Sequence, residues 1–299
     1  MSHSPELIKE LEDKLLLVRH NILRIFEASH QGHCGGTMSL TEIVTALYFH
    51  HLKLDPGNCD WSERDRLVLS KAHAAESIYA VLPEVGYVPR ETLDEYYLFG
   101  SRFQGHADRW CTPGIDYSGG SLGQGLSFAA AMALAEKIST EVNPPQLNVS
   151  AMDMPRLSMK YNPAYRVFCI VGDGECDEGQ IWEAAMFAGK YKLDNLINIV
   201  DYNKFSIDGP VEQIMPLAPL DEKFKAFGWW VKEIDGHNLL EIVDALDLAN
   251  RLYGDGKPKC IIAHTTKGHG IPTWENVHIH VARGQAMEAG LKEGRKIYG

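Results

Sequence analysis

The sequence predicts an α/β fold: a three-layer α/β/α arrangement built on a mainly parallel sheet. Five short apolar runs have strand length, at 66–70, 166–171, 196–201, 229–234 and 259–264. Helical patterns separate most of them, which is the alternation that places parallel strands side by side with helices on both faces. The second run ends in Gly172-Asp173-Gly174 and feeds a helical pattern. In parallel sheets, ligands bind beyond the carboxyl ends of the strands, so this turn is the first place to look for a site.

The elements follow in chain order. Leu7, Leu11, Leu15, Val18, Ile22 and Ile25 recur at three- and four-residue intervals behind Ser4-Pro5, a cap and a first-turn proline, and predict an amphipathic opening helix. Ser39-Leu40-Thr41-Glu42 has the spacing of a capping box and predicts a second helix through Phe49. Further helices are expected at 122–137, 178–190 and 239–252. Asn143-Pro144-Pro145, three methionines and Asn162-Pro163 break the periodicity over about 141–163, which reads as a surface insertion within one domain spanning 1–299.

The chain has 299 residues, 45% of them hydrophobic and 23% charged, enough for a substantial core. Its longest apolar stretch, near 126–135, is too short to span a bilayer, and the N-terminus has no targeting pattern, so a cytoplasmic protein without a membrane role is expected. The formal charge of −11 and the lack of a basic run argue against nucleic acid. The six cysteines form no Cys-x-x-Cys pair and read as reduced, structural thiols; Cys176, close to the Gly-Asp-Gly turn, is the one with a reactive alternative.

Glycines flanking Asp173 allow a sharp turn and close approach to a phosphate, and the following helix start offers free amides. Asp173 offers a hard oxygen to a divalent cation. Thirty residues on, Asn203 follows the next apolar run, so the two side chains are expected to emerge from adjacent strands at one sheet edge. Asp173, the Asn203 amide oxygen and the Phe205 carbonyl make three protein ligands; two diphosphate oxygens and a water complete an octahedron suited to Mg²⁺.

Gly172-Asp173-Gly174 followed by Asn203 resembles the thiamine-diphosphate signature, and the longer pattern is similar to the transketolase family. Four stretches carry that likeness: Gln31-Gly32-His33-Cys34-Gly35, the run from Asp65 to His73, Gly105-His106-Ala107-Asp108, and Gly119 to Gly125. It runs in order from near residue 5 to about 285. The resemblance implies thiamine diphosphate and Mg²⁺ as cofactors, and ketol transfer between sugar phosphates as in the pentose phosphate pathway. It implies cofactor contacts from His73, Gly120, Leu122, Gly172, Gly174, Glu175, Glu183 and Asn203, with Leu122 presenting backbone groups to the pyrimidine. His106 is implied to hold the donor's first hydroxyl and His33 to shuttle a hydroxyl proton, work that imidazole suits near neutrality. Separations of 40 and 33 residues between His33, His73 and His106 fit no short zinc pattern.

The family's last active-site histidine often sits in Trp-His-Gly. Here the segment reads Trp274-Glu275-Asn276-Val277-His278-Ile279-His280, a departure, and His280 is preferred for catalysis and cofactor contact, with His278 in reserve. His20, His50, His51 and His237 read as packed or surface residues. Glu178 and Glu183 match family glutamates that reach toward the catalytic glutamate of the opposing subunit. Full-length relatives continue into a pyrimidine-binding domain, whereas this chain stops at Gly299. The resemblance therefore implies the N-terminal product of a split gene, inactive without a separately encoded C-terminal subunit, in an α2β2 heterotetramer. Its rivals are a 2-oxo acid dehydrogenase α subunit, which lacks these histidine loops, and a non-catalytic cofactor-binding relative.

Overall fold

The computed structural model describes residues 3–141 and 163–299; the expected insertion therefore lies, apart from its end residues, outside the described part. Helix α1 (Pro5–Ser29) begins as its sequence asks. The Ser4 hydroxyl accepts the Leu7 amide at 3.3 Å, Pro5 sits in the first turn, and His30 ends the helix in the left-handed region.

Helix α2 (Thr41–Ala46), continued by a wider turn over Leu47–His51, departs from the expected capping box. Leu40 holds the cap position, while Ser39 donates its hydroxyl to Asp201 Oδ2 at 2.7 Å, and Glu42 turns into a buried ion pair with Arg19. Ionised partners are stronger acceptors and donors than a backbone amide, and they displaced the local motif.

The five expected strands are present, each within one residue of its run: β1 (Arg66–Leu69), β2 (Val167–Gly172), β3 (Leu196–Tyr202), β4 (Trp230–Asp235) and β5 (Lys259–His264). They pair in parallel in the order β1-β2-β3-β5-β4. Alternate side chains face opposite layers, as the two-residue period of a strand requires. Val68, Cys169, Val171, Val200 and Ile262 pack with α3 (Gly125–Glu141), α4 (Gly179–Lys190) and α5 (Leu220–Ala226). Leu69, Phe168, Ile170, Ile199 and Ile261 pack with α1, α2, α6 (Leu239–Arg251) and α7 (Gly284–Tyr298). The fold is thus α/β in three layers. Among the described residues no helix is long and apolar enough to cross a membrane.

Two features aim the site. Gly172 lies opposite Asp201 in the β2–β3 register, so the segments holding Asp173 and Asn203 leave the sheet together at its carboxyl edge. A short antiparallel ribbon pairs Gln31–Gly32 with Ala282–Arg283, which brings the chain next to His33 against the chain next to His280.

Candidate active site

Beyond the carboxyl ends of β2 and β3 lies a cavity of about 220 Å³ lined by Asp173, Asn203, Phe205, Leu122, Lys71, Lys267, His73 and His280, among others. Asp173 is buried and accepts the Gly174 amide at 2.8 Å and the Lys204 amide. Burial, and then the nearby Asp201 carboxylate, push its pKa up to about 7. Asp201 itself is compensated: it accepts from Lys71, Ser39, Thr265 and, at 3.1 Å, from Asn203 Nδ2. These contacts outweigh burial and keep it ionised, with a pKa below the usual range. Among the described residues Asp173 has no ion-pair partner, so it is a buried carboxylate that a cation in the cavity would satisfy. Asn203 Oδ1, which accepts the Phe205 amide at 3.1 Å, and the Phe205 backbone stand beside it. A hard divalent ion fits this donor set of oxygens.

Lys267 brings a second ammonium to the same cavity. Its stem crosses Gly35, where a Cβ would lie 2.7 Å from Lys267 Cε, so only glycine leaves it room. Burial, and then the neighbouring Lys71, lower its pKa. Lys71, whose ammonium pairs with Asp201, and Lys267 are the two positive side chains of a lining that also carries Asp173, Glu175, Asp177, Glu178 and Asp208, and they are the groups there that an anion would meet favourably.

Four imidazoles cluster here, His73 and His280 in the cavity lining and His33 and His106 against them. The His33 ring centroid lies 5.6 Å from His73, 5.6 Å from His106 and 4.9 Å from His280, and His73 lies 5.0 Å from His280. Burial first of all keeps three of them neutral: His280 is lowered to about 4, first by burial and then by His33, and His73, with Lys71 beside it, and His106 also fall below the ordinary value. Neutral rings both donate and accept hydrogen bonds, as hydroxyl recognition needs. Glu76 holds the backbone at His33. Fully buried, it accepts the His33 amide at 2.9 Å, the Thr37 hydroxyl at 2.8 Å and the Tyr96 hydroxyl at 2.6 Å, with His33 Nδ1 at 3.4 Å.

The family described as "Transketolase, thiamine diphosphate binding domain" matches residues 15–299. The chain belongs to the transketolase family. It is 47% identical over 239 residues, 80% of this chain and 78% of the relative, to the 6-deoxy-6-sulfo-D-fructose transketolase subunit of Clostridium sp. (strain MSTE9). It is 37% identical over 291 residues, 95% of either chain, to an apulose-4-phosphate transketolase subunit of Actinobacillus succinogenes. Among solved structures, a transketolase from Campylobacter jejuni shares 30% identity at a TM-score of 0.80, and a transketolase variant from Pichia stipitis 28% at 0.83. Those matches cover 98% and 97% of this chain but only 43% and 40% of theirs, so the chain spans well under half of the solved transketolases.

Within the transketolase frame the predicted residues divide by place. His73, Leu122, Gly172, Asp173, Gly174, Asn203, Phe205, Glu178 and His280 line the cavity, and His33 and His106 join the imidazole cluster. His278 is exposed and does not line the cavity, so the geometry favours His280. Glu175 lines it too, but its carboxylate accepts from Ser70, from Gly123 N at 2.8 Å and from Gly172 N at 3.0 Å. It acts as a clamp between the Gly-Asp-Gly turn and the 119–125 loop. Gly120 is exposed outside the lining, and Glu183 points to solvent from α4. Cys176 is buried, donates to Gly172 O at 3.3 Å, and burial drives its thiol pKa up, which is the structural role expected. Sequence reading gave no role to Lys71, Glu76, Asp201 or Lys267. Lys71 lies within the family-like run from Asp65 to His73, Asp201 ends the third apolar run, and Lys267 follows the last strand by three residues at the ligand edge, a position that parallel-sheet logic marks.

Proposed function

We propose that this chain is the diphosphate-binding subunit of a two-chain transketolase that moves a two-carbon ketol unit from a ketose derivative to an aldose. The observation that carries this is the arrangement of one cavity: a buried Asp173, two lysines, His73 and His280 in its lining, with His33 and His106 clustered against those two rings. Thiamine diphosphate supplies the electron sink that carbon–carbon cleavage requires. The chain's own residues do the rest. Asp173, Asn203 and the Phe205 carbonyl would hold Mg²⁺, and Lys71 and Lys267 neutralise diphosphate charge. His73 borders the diphosphate, His106 and His280 hold donor hydroxyls, and His33, its backbone held by Glu76, moves a hydroxyl proton.

The pyrimidine side, and the acid opposite Glu178, are assigned to a second polypeptide. Relatives named as transketolase subunits support this partnership. Their names carry two different ketoses, a sulfonated hexulose and a branched pentulose phosphate, so the donor here belongs to a broader set than the pentose phosphates. The test is co-expression with the neighbouring transketolase-like frame, followed by ketol transfer from fructose 6-phosphate, xylulose 5-phosphate, apulose 4-phosphate and 6-deoxy-6-sulfofructose. Transfer with at least one donor, dependent on thiamine diphosphate, is expected. Tight cofactor binding by the purified complex without transfer from any of the four would overturn it.

A further inference from the structure

Outside the cavity, Glu42, His237 and His269 bring ligand atoms within 4.8 Å of one another, a grouping that looks like a metal site. The hydrogen bonds argue otherwise. The Thr266 amide donates to His237 Nε2 at 2.8 Å, so that nitrogen is bare and the ring proton sits on Nδ1, facing Glu42 Oε2 at 3.3 Å. Both ring nitrogens are therefore committed, and Arg19 already neutralises Glu42. His269 stacks on His237 at 3.6 Å between centroids, and its Nε2 stands 3.8 Å from Glu42 Oε1.

What this assembly holds is the chain leading into the cavity. Thr266 precedes Lys267. On either side, Thr265 donates its amide to Tyr202 O at 3.2 Å and its hydroxyl to Asp201, and Gly268 N donates to Gly35 O at 2.9 Å. We propose that His237, fixed in one tautomer by Glu42, is a positioning residue that aims Lys267 at the anion bound in the cavity. The inference rests on the diphosphate reading of that cavity and adds a residue that touches neither cofactor nor substrate. Without the Nε2 acceptor the Thr266 amide loses its partner, the 265–268 segment gains freedom, and the ammonium spends less time where the anion needs it.

The experiment uses the purified full chain with Mg²⁺ and inorganic diphosphate, by calorimetry. His237→Phe keeps the ring volume but removes the acceptor, and should weaken diphosphate binding about tenfold, the scale of one lost hydrogen bond. His237→Gln offers an amide oxygen near the Nε2 position and should bind close to the parent. Amide exchange over 265–268 should speed up in the Phe chain and not in the Gln chain. Should His237→Phe fail to fold, His237→Met makes the same comparison. Lys267→Met separates the two levels. If it weakens diphosphate binding while His237→Phe or →Met leaves it at parental strength, positioning is wrong and the cavity reading stands. A parent chain that binds no diphosphate overturns both. Equal weakening in Phe and Gln chains also overturns the proposal, because packing alone would then account for it.

Discussion

Asp173 and Asp201 show how two carboxylates close together in space take opposite roles. Lys71 and the hydroxyls of Ser39 and Thr265 compensate Asp201, which becomes structure; Asp173 keeps only backbone donors. Asp173→Ala should abolish Mg²⁺-dependent thiamine diphosphate binding, and Asn203→Ala should weaken it less, since water can replace a neutral ligand; unchanged calorimetric affinity in the Asp173→Ala chain would remove this carboxylate from the metal site. The imidazoles divide in the same way. His33→Ala or His106→Ala should lower turnover with cofactor affinity nearly intact, whereas His73→Ala should also raise the cofactor dissociation constant; equal loss of affinity in all three would show the division to be wrong. A pH test follows from His280, whose pKa falls from the ordinary 6.5 to about 4 through burial and His33. The unfolded chain takes up this proton first as pH falls, so the contribution is whole above 6.5 and is lost on the way down toward 4. Relative to a His280→Gln chain, the parent should therefore lose stability across that window. A urea-unfolding difference that stays constant with pH would contradict it.

At the scale of elements, the segment between β5 and α7 matters most, because it carries Lys267 and His280 without regular structure of its own beyond the short ribbon. Trp274 anchors it. The side chain is buried, meets Phe26 of α1 edge-on with ring centroids 5.6 Å apart, and donates Nε1–H to Ala286 O at 3.1 Å. It also fills the space left by Gly290 of α7, where a Cβ would stand 1.9 Å from the indole. Trp274→Ala should cost about 3–5 kcal/mol in urea unfolding, as large-to-small changes at buried aromatics do. It should also raise amide exchange over 265–283 more than in the sheet. Uniform exchange across the chain would instead mean that Trp274 stabilises the whole domain and not this segment.

For the molecule as a whole, the cavity is built at one edge of a three-layer domain that spans under half of the solved transketolases it matches. Large apolar side chains stand in solvent, Leu98, Phe99 and Trp110 among them, with Phe99 fully exposed. Such side chains on an otherwise charged chain suit a surface that another subunit covers. The purified chain is expected to be folded and self-associating but without ketol transfer, and addition of the pyrimidine subunit should restore it. Phe99→Ser with Trp110→Ser should weaken that restoration without lowering the thermal midpoint of the chain alone. Substantial transfer by the pure chain, with mass spectrometry excluding a partner, would overturn this account.

The sequence by itself determined the sheet, the alternation of layers and the ligand edge. Apolar runs of strand length and three- to four-residue periods are local signals, and local physics suffices to place β1 to β5 within a residue. It also marked Asp173 and Asn203, polar residues just past the carboxyl ends of adjacent apolar runs, whereas the histidine loops were marked by their likeness to family motifs. Only the tertiary structure decided what each polar residue meets. Ser39 left its capping box for Asp201, 162 residues away; His280, close to the ribbon that ties Ala282–Arg283 to Gln31–Gly32, entered the cavity lining where His278 did not; Lys71 and Lys267 met across the sheet edge. The Glu42–His237 pair closes over 195 residues of chain. Contacts of that length depend on register and on which burial costs are compensated, and neither quantity is written in any one stretch of residues.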